Sequence, residues 1–263
     1  MTGQGLKVEE GERYAELQVV TNFSFLNGGS HAHELIERAK ALGLDAIAIA
    51  DRNTLAGVVR AHTAAEEAGV QLIVGARLDL EDAPSLLCFP KDRAAYGRLS
   101  RLLSLGQGRS AQGVCELSLA EVAAAAEGQV LVALVPETWR GREVLDEEGQ
   151  KERARTTPEC TAEVIAFPSR RISKREMVAP AGERAFPGGE EEGARAESLE
   201  AELGRVREAL GAGALYLAVS HLYRGDDRAR IEALSRIASR VGIAIVATND
   251  VLYHGPERRP LQD

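Results

Sequence analysis

The chain of 263 residues is poor in cysteine, in aromatic residues and in long apolar runs. Its three cysteines, Cys88, Cys115 and Cys160, stand far apart without a C-x-x-C pair, so they offer neither a paired zinc site nor a disulfide framework. No apolar stretch approaches the roughly 20 residues that span a bilayer, and the first residues lack the apolar core of a signal peptide. A cytoplasmic protein without a membrane partner is therefore expected.

Motifs for phosphate binding and for nucleophilic catalysis are also missing. The sequence contains no Gly-rich loop of the Walker type and no G-x-S-x-G turn, and no cysteine has an activating context. The net charge of −8 would repel a phosphate backbone over most of the surface. These absences disfavour a nucleotide hydrolase, a serine or cysteine hydrolase, and a DNA-binding protein that acts alone.

Seven short apolar runs, each of strand length, are distributed along the chain. They are Leu17 to Val20, Ala46 to Ala50, Leu72 to Val74, Leu86 to Phe89, Val130 to Val135, Leu215 to Val219 and Ile243 to Ala247. Most are separated by segments with helical periodicity, which is typical of β/α alternation. The pattern predicts an α/β fold, a distorted seven-stranded (β/α) barrel of parallel strands, although an open sheet is also compatible with it.

Capping residues mark where several helices begin and end. Ser30, Asp92 and Ser118 each precede a helical segment, and Glu121 makes Ser118 part of a capping box. Gly43 and Gly69 are suited to helix C-termini, and the helix after strand two should begin near Thr54.

The region from residue 139 to 197 interrupts this rhythm because it is rich in Arg, Glu, Gly and Pro. We predict a flexible segment over residues 1–12 and one domain over 13–263 that contains a disordered insertion at about 139–197. Trp139 is expected to make an anchoring contact with the barrel rim. The basic stretch Arg170, Arg171, Lys174 and Arg175 is more typical of a solvated surface than of a DNA contact.

Three candidate ligands follow predicted strands: Asp51, His221 and Asp250. In a β/α barrel the carboxyl ends of the strands carry the chemistry, so these side chains should converge on one face. Asp51 could bind a metal or could accept N–H bonds at the start of the next helix, and the second interpretation is favoured.

The remaining histidines are weaker candidates. His31 and His33 form the one H-x-H in the chain, but residues two apart on a helix face opposite sides, so a helix start is favoured over a chelate. His62 is expected on the surface and His254 at the edge of the domain.

Three segments resemble the polymerase and histidinol phosphatase (PHP) domain that opens bacterial C-family DNA polymerases. They are YAELQVVTNFSFLNGGS (14–30), ALGLDAIAIADRNTLAGVVRAH (41–62) and VATNDVLYHGPERRPLQD (246–263). The stretch 72–80, the strand SLLCFP and the motif SHLYRGDD resemble the error-prone, damage-inducible branch of these polymerases.

The resemblance implies a degenerate metal site. The family's first H-x-H falls on Gln18 and Val20, and its T-D-H motif reads Ala50, Asp51, Arg52. The other positions that have lost a ligand are Arg60, Arg77 and Leu252, while Asp51, Asp250 and His221 remain as vestigial ligands. No bound metal is expected, because guanidinium and alkyl groups cannot bind a cation. The arginines are expected to pair with Asp51 and Asp250 instead.

The resemblance further implies a noncatalytic structural platform within an error-prone DNA polymerase that performs damage-induced translesion synthesis. The partners would be the remainder of the polymerase, the sliding clamp and mutagenesis accessory proteins, with DNA contacted only by the full polymerase. Mg²⁺ would serve the parent polymerase and not this chain. The sequence stops at RRPLQD, where a family member would continue into its palm, so the chain alone is not expected to copy DNA.

Two alternatives remain open. A metal-dependent phosphoesterase of the PHP superfamily would use Asp51, His221 and Asp250, with help from His31, His33 or His254. A nucleic-acid-binding module would use the basic stretch near Arg170.

Overall fold

The computed structural model describes residues 14–111, 113–136, 139, 190–211, 214–221, 223 and 225–259, without the side chains of 190–198 and 214. The predicted flexible N-terminus and most of the predicted insertion at 139–197 lie outside these residues. The described part contains seven strands: β1 (Ala15–Glu16), β2 (Ala46–Arg52), β3 (Gln71–Leu78), β4 (Leu86–Pro90), β5 (Gln129–Ala133), β6 (Ala214–Val219) and β7 (Ala244–Ala247). Its α-helices are α1 (Ala32–Leu42), α2 (Val58–Ala68), α3 (Arg93–Arg109), α4 (Leu119–Ala124), α5 (Glu190–Leu210) and α6 (Asp227–Val241).

The strands form one sheet in the order of the sequence, from β1 to β7. All neighbouring pairs are parallel except those that involve β4, which is antiparallel to both β3 and β5. The prediction of seven parallel strands is therefore wrong at β4. Residues 79–85 connect β3 to β4 and are too few for a crossover helix, so the chain must turn back on itself there.

The first and last strands meet just beyond their ends. Val19 forms a parallel bridge with Val251. The Val20 amide donates to the Val251 carbonyl at 3.0 Å, and the Val251 amide donates to the Gln18 carbonyl at 2.7 Å. This contact brings the curled sheet round on itself, which agrees with the predicted distorted barrel. Strand β1 ends one residue before the predicted run Leu17 to Val20, so the predicted position of the first strand is displaced. The run itself lies between β2 and the segment after β7, because the Ala50 amide donates to the Val19 carbonyl at 2.8 Å and Val19 bridges Val251.

Strand β2 is buried on both faces, as its continuous apolar sequence predicts. Ile47 and Ile49 pack with α1 and α2 on one side, while Ala48 and Ala50 pack against Leu87 and other residues of β4 to β6 on the opposite face. Successive strand residues alternate between faces, so one strand contributes to two cores. The polar residues that follow Ala50 are thereby fixed at the carboxyl edge of the sheet.

Most predicted helix ends are confirmed. Gly43 and Gly69 end α1 and α2 in the left-handed conformation. The Asp92 carboxylate accepts from the Ala95 amide at 2.8 Å, and Ser118 forms its capping box.

Two predicted helix starts are displaced. The N-cap of α1 is His31, because the preceding Ser30 is buried and bonded elsewhere. Helix α2 begins at Val58 and not near Thr54, since the chain first turns through residues 53–57.

Helix α5 begins at Glu190, inside the range that the sequence predicts as an insertion. Its Ala- and Glu-rich sequence favours a helix despite the low apolar content that suggested otherwise. Trp139 is buried in the main core with the Arg230 guanidinium 6.0 Å from its ring, which agrees with an anchoring role. Among the described helices, none combines the length and the apolar character needed to cross a bilayer.

Candidate functional site

Asp51 lies at the carboxyl end of β2 and is almost completely buried. One carboxylate oxygen accepts from the Thr21 amide and the Ser24 hydroxyl, both at 2.7 Å, and the other accepts from the Thr21 hydroxyl at 2.8 Å. Burial raises the pKa of Asp51, and the three hydrogen bonds offset part of that effect. The expectation that Asp51 accepts N–H bonds at the start of the next helix is wrong, because the amide it accepts from belongs to the loop after β1.

Gln18, which the family resemblance matches to a metal ligand, joins the start of the sheet to the segment after the last strand. Its amide nitrogen donates to Asp250 at 2.6 Å, and its amide oxygen accepts from the Thr248 hydroxyl at 3.0 Å. Val20 is buried beside it, and Leu252 is half-buried, with its carbonyl accepting from the Gly29 amide. Three of the positions matched to metal ligands therefore close the sheet.

The buried carboxylate of Glu16 strengthens the same junction. It accepts from the backbone amide of Gln18 at 3.0 Å and from the side-chain amide of Asn249 at 2.9 Å. It also accepts from the Tyr14 hydroxyl at 2.7 Å. The pKa of Tyr14 is raised, mainly by burial and further by the negative charge of Glu16. This carboxylate is thus committed to holding β1 against the segment after β7.

Arg52 and Arg77 share the carboxylate of Asp79. Arg52 donates from Nε and Nη2 to one oxygen, each at 2.7 Å, and Arg77 donates from Nε to the other at 2.8 Å. The two arginines are register partners on β2 and β3, which brings their guanidiniums together. The prediction that they pair with Asp51 and Asp250 is wrong, because a nearer carboxylate lies on the same side of the extended chain as Arg77.

The carboxylate of Asp79 stays ionised in this setting. Burial favours its neutral form, but the Ser85 hydroxyl at 2.7 Å and the guanidiniums of Arg77 and Arg52 outweigh burial and lower the pKa of Asp79. One negative charge is therefore held between two positive charges at the edge of the sheet.

Arg60 contacts neither of the carboxylates that the sequence suggested for it. It lies on the exposed side of α2 with its guanidinium 5.4 Å from the centre of the Phe23 ring, a distance typical of a cation–π contact. The expected pairing with Asp51 or Asp250 is wrong here as well, because the buried Asp51 is already enclosed by the loop after β1.

His221 follows β6 and faces outward. Its side chain is 55% exposed, and Nδ1 lies 4.0 Å from the carboxylate of the buried Asp227. The centres of the His221 and Tyr223 rings lie 4.6 Å apart, with an interplanar angle of 70°. The expected convergence of His221, Asp51 and Asp250 is realised only as a shared edge of the sheet, since each side chain is engaged with different neighbours.

His31 and His33 lie on the same side of the helix start. Their rings stack at 5.7 Å with an interplanar angle of 12°. The expectation of opposite faces is wrong because His31 is the extended N-cap residue, to which the 100° helical rotation does not apply. The favoured helix-start interpretation is confirmed, since the His31 amide donates to Glu34 at 2.8 Å.

His254 joins the end of the described chain to the start of α1. Its Nδ1 lies 2.8 Å from the buried Ser30 hydroxyl, which also accepts from the His254 amide at 2.9 Å. Glu34 and Glu257 lie within 4 Å of the imidazole. This arrangement agrees with the contact at the domain edge expected for His254, and His62, 63% exposed, lies on the surface as expected.

The donor set at this edge is a poor match for a divalent cation. Within the described ranges, no group of three or more His, Cys, Asp and Glu side chains comes together in a way that could hold a metal. Asp51 already accepts three hydrogen bonds, and the neighbouring positions carry guanidinium, amide and alkyl groups. Such groups lack the lone pairs or the negative charge that a metal centre requires.

Sequence reasoning missed the polar residues that complete these networks. A usable signal existed for Asp79, since residues i and i+2 of an extended chain share a face. Apart from Glu16, which ends β1, the others are loop residues, and most of their partners lie far away in sequence. The missed residues are Glu16, Thr21, Ser24, Ser30, Asp79, Ser85, Thr248 and Asn249.

A curled seven-stranded α/β sheet with polar side chains gathered at the carboxyl edge defines a barrel of the PHP type. The chain belongs to the PHP domain family, whose family model matches residues 16–152.

Curated relatives place this domain within longer proteins. The chain is 42% identical over 251 residues to an error-prone DNA polymerase of Caulobacter vibrioides, covering 95% of this chain and 18% of the relative. It is also 42% identical over 272 residues to an error-prone DNA polymerase of Rhodopseudomonas palustris, covering 95% and 21%. The chain thus spans about a fifth of the length of these relatives.

Solved structures show the same fold at low sequence identity. A protein of Bifidobacterium adolescentis, described by inference as a metal-dependent phosphoesterase, is similar with a TM-score of 0.54 and 18% identity, over 94% of this chain and 90% of that one. An amidohydrolase of Chromobacterium violaceum with bound sulfate and no metal is similar with a TM-score of 0.52 and 14% identity, over 92% and 88%. At such identity the likeness shows the fold alone.

The shared carboxylate of Asp79 leads to a pH-dependent prediction. Asp79→Asn should lower the free energy of unfolding by about 1.5 kcal/mol at neutral pH, after allowance for the partial exposure of Arg52. Because the fold lowers the pKa of Asp79, its contribution is present above the pKa of the unfolded state and is lost as pH falls through the folded value. Urea titrations at neutral and acid pH should therefore show that the difference in free energy of unfolding between the unmodified chain and Asp79→Asn becomes smaller in acid.

The matched control for this prediction is Glu37→Gln, which removes an exposed carboxylate from α1. It should leave stability nearly unchanged at neutral pH. A difference between Asp79→Asn and the unmodified chain that stays constant across the titration would contradict the shared ion pair.

Proposed function

We propose that this chain is the noncatalytic PHP domain of an error-prone DNA polymerase, in which it acts as a structural platform. The observation that carries the proposal is the use of the metal-ligand positions: Gln18 ties Asp250 into the closure of the sheet, and Arg52 and Arg77 neutralise Asp79. A site built from such contacts contributes rigidity and not a Lewis acid. The relatives named as error-prone polymerases supply the larger protein in which the platform would function.

The finer parts of the proposal follow from the polymerase relatives. We infer a role in damage-induced translesion synthesis in the cytoplasm, with Mg²⁺ serving only the polymerase centre. The remainder of the polymerase is the first partner, and the sliding clamp and mutagenesis accessory proteins are further partners. DNA would be contacted by the full polymerase and not by this domain alone.

A metal-dependent phosphoesterase is the alternative function. It is favoured by Asp51, His221 and Asp250, which stay at one edge of the sheet, and by the likeness in fold to the Bifidobacterium protein. The proposed platform differs from it in two measurable respects, the retention of divalent metal and the hydrolysis of a phosphoester.

Metal analysis combined with hydrolysis distinguishes the two functions. The chain, dialysed after exposure to Mn²⁺ or Zn²⁺, should contain far less than one metal per molecule and should not hydrolyse bis(p-nitrophenyl) phosphate. Asp51→Asn is the matched variant, because it preserves shape and hydrogen bonding while removing the charge. Stoichiometric metal together with hydrolysis that disappears in this variant would establish the phosphoesterase.

A nucleic-acid-binding module is the third candidate function. It would use Arg170 and its basic neighbours, which lie outside the described residues. It stays a prediction, and a chain lacking residues 150–195 would test it. Unchanged affinity for single-stranded DNA after this deletion would count against it.

A further inference from the structure

The loop after β1 presents two large apolar side chains to solvent. Phe25 is 83% exposed and Leu26 is 84% exposed. They occupy the two central positions of a turn in which the Asn27 amide donates to the Ser24 carbonyl at 2.9 Å. Isolated apolar residues on a surface are ordinary, but two adjacent ones at the tip of a turn form a small apolar projection.

Leu26 has a φ of 61°, in the left-handed region. The third position of such a turn favours Gly or Asn, because a branched side chain is strained there. Leu26 therefore lowers the stability of the isolated domain in two ways, through its left-handed backbone conformation and through the exposure of its apolar side chain. Strain of this kind is concentrated at functional surfaces, where the surrounding structure maintains it.

The residues at the former ligand positions hold this turn in place. The Ser24 hydroxyl donates to Asp51 and accepts from the Arg52 amide at 3.0 Å. Arg52 also donates from Nη1 to the Asn27 side-chain oxygen at 3.0 Å. The projecting pair is thus anchored at both ends of the turn to the end of β2, so little conformational entropy remains to be lost when a partner binds.

The surroundings of the turn indicate the chemistry of the partner. The partly exposed guanidinium of Arg52 lies against the turn, and Arg60 lies over the nearby Phe23 ring. An apolar projection flanked by cations is complementary to an apolar pocket with carboxylates at its rim. Single-stranded nucleic acid is usually bound in a groove of positive charge by several aromatic side chains that stack on successive bases. A projection that offers one phenylalanine ring and one leucine side chain therefore fits a protein pocket better.

We propose that Phe25 and Leu26 form a preorganised docking point that enters an apolar, acid-rimmed pocket in the polymerase region accompanying this domain in its relatives. The inference rests on the proposed function and deepens it, since it assigns the surface through which the platform contacts its partner. The residues matched to metal ligands would then support a protein contact.

The experiment uses a chimera in which this chain replaces the matching segment of the Caulobacter vibrioides polymerase. Amide hydrogen exchange of residues 22–28 should be roughly tenfold slower in the chimera than in the isolated chain. The double variant Phe25→Ser, Leu26→Asn should unfold at the same or a higher temperature in the isolated chain, because it relieves strain and exposure. In the chimera it should shorten the half-life of DNA synthesis on heating by about fivefold.

A matched control is Leu42→Gln, which removes an exposed leucine from the C-terminus of α1, at the opposite end of the sheet. This control should not change the half-life of the chimera. Exchange in the turn that is equally fast in both contexts, or equal effects of the double variant and the control, overturns the docking point and leaves the platform intact. An unmodified chimera that makes no DNA contradicts the proposed function itself.

Discussion

Asp51→Ala should lower the free energy of unfolding by about 3 kcal/mol, enough to unfold a marginally stable domain near its working temperature. The substitution leaves the Thr21 amide, the Thr21 hydroxyl and the Ser24 hydroxyl without their common acceptor in a region closed to solvent. A buried donor without an acceptor has lost its hydrogen bonds to water and gained none in the protein, so the folded state is destabilised. Chemical denaturation monitored by circular dichroism measures the loss.

Asp51→Asn is the matched control, because it can keep the hydrogen bonds that hold the loop after β1 but removes the charge that a metal ligand needs. The amide oxygen can accept from the Thr21 amide and the Ser24 hydroxyl, and the amide nitrogen can donate to the Thr21 hydroxyl. Burial raises the pKa of Asp51, so its ionised form reduces stability at neutral pH and protonation restores it as pH falls. Asparagine should therefore stay within about 1 kcal/mol of the unmodified chain at neutral pH.

The two substitutions together distinguish a structural carboxylate from a catalytic one. If Asp51 is structural, the domain is destabilised when the hydrogen-bond accepting oxygens of residue 51 are removed, but it tolerates the loss of the negative charge. A metal ligand would show the opposite order, with Asn as damaging to activity as Ala. Equal destabilisation by both variants would show that the charge itself, and not the hydrogen-bond geometry, maintains the loop after β1.

The architecture could be predicted from the sequence because burial patterns are local. The run Ala46 to Ala50 is apolar at every position, and a strand covered on both faces follows directly from that pattern. The direction of a strand leaves no such mark, so the antiparallel β4 was missed. The short connection of residues 79–85 was the available clue, since it has no room for a helix.

The candidate site was predictable in position and not in pairing. Asp51 and Asp250 lie at the carboxyl edge as expected, because a polar residue after a buried strand must emerge there. Their partners depend on loop conformations that bring Ser24 or Gln18 to within hydrogen-bond distance, and sequence spacing does not encode such distances. The ion pair between Arg52 and Asp79 likewise depends on the register between β2 and β3.

Gly28→Ala should be at least as damaging as the loss of Asp51, although it removes no interaction. A Cβ atom at this position would lie 1.9 Å from the Thr21 carbonyl oxygen and 2.4 Å from its carbon. Both atoms belong to the backbone of the same loop, so no side chain can rotate away to relieve the overlap. We expect a loss of about 3 kcal/mol in the free energy of unfolding, the upper end of the usual cost of overpacking.

Gly97→Ala is the matched control, since it adds the same methyl group in the interior of α3, where a Cβ would meet no atom within 4 Å. It should raise stability by about 0.8 kcal/mol, because alanine is the better helix former. Thermal unfolding of the two variants should thus shift in opposite directions from the unmodified chain. If Gly28→Ala were tolerated, the loop after β1 would have to be free to move away from Thr21. The anchored turn that carries Phe25 and Leu26 would then lose its physical basis, because a loop that yields to one methyl group cannot hold two exposed side chains in a strained conformation.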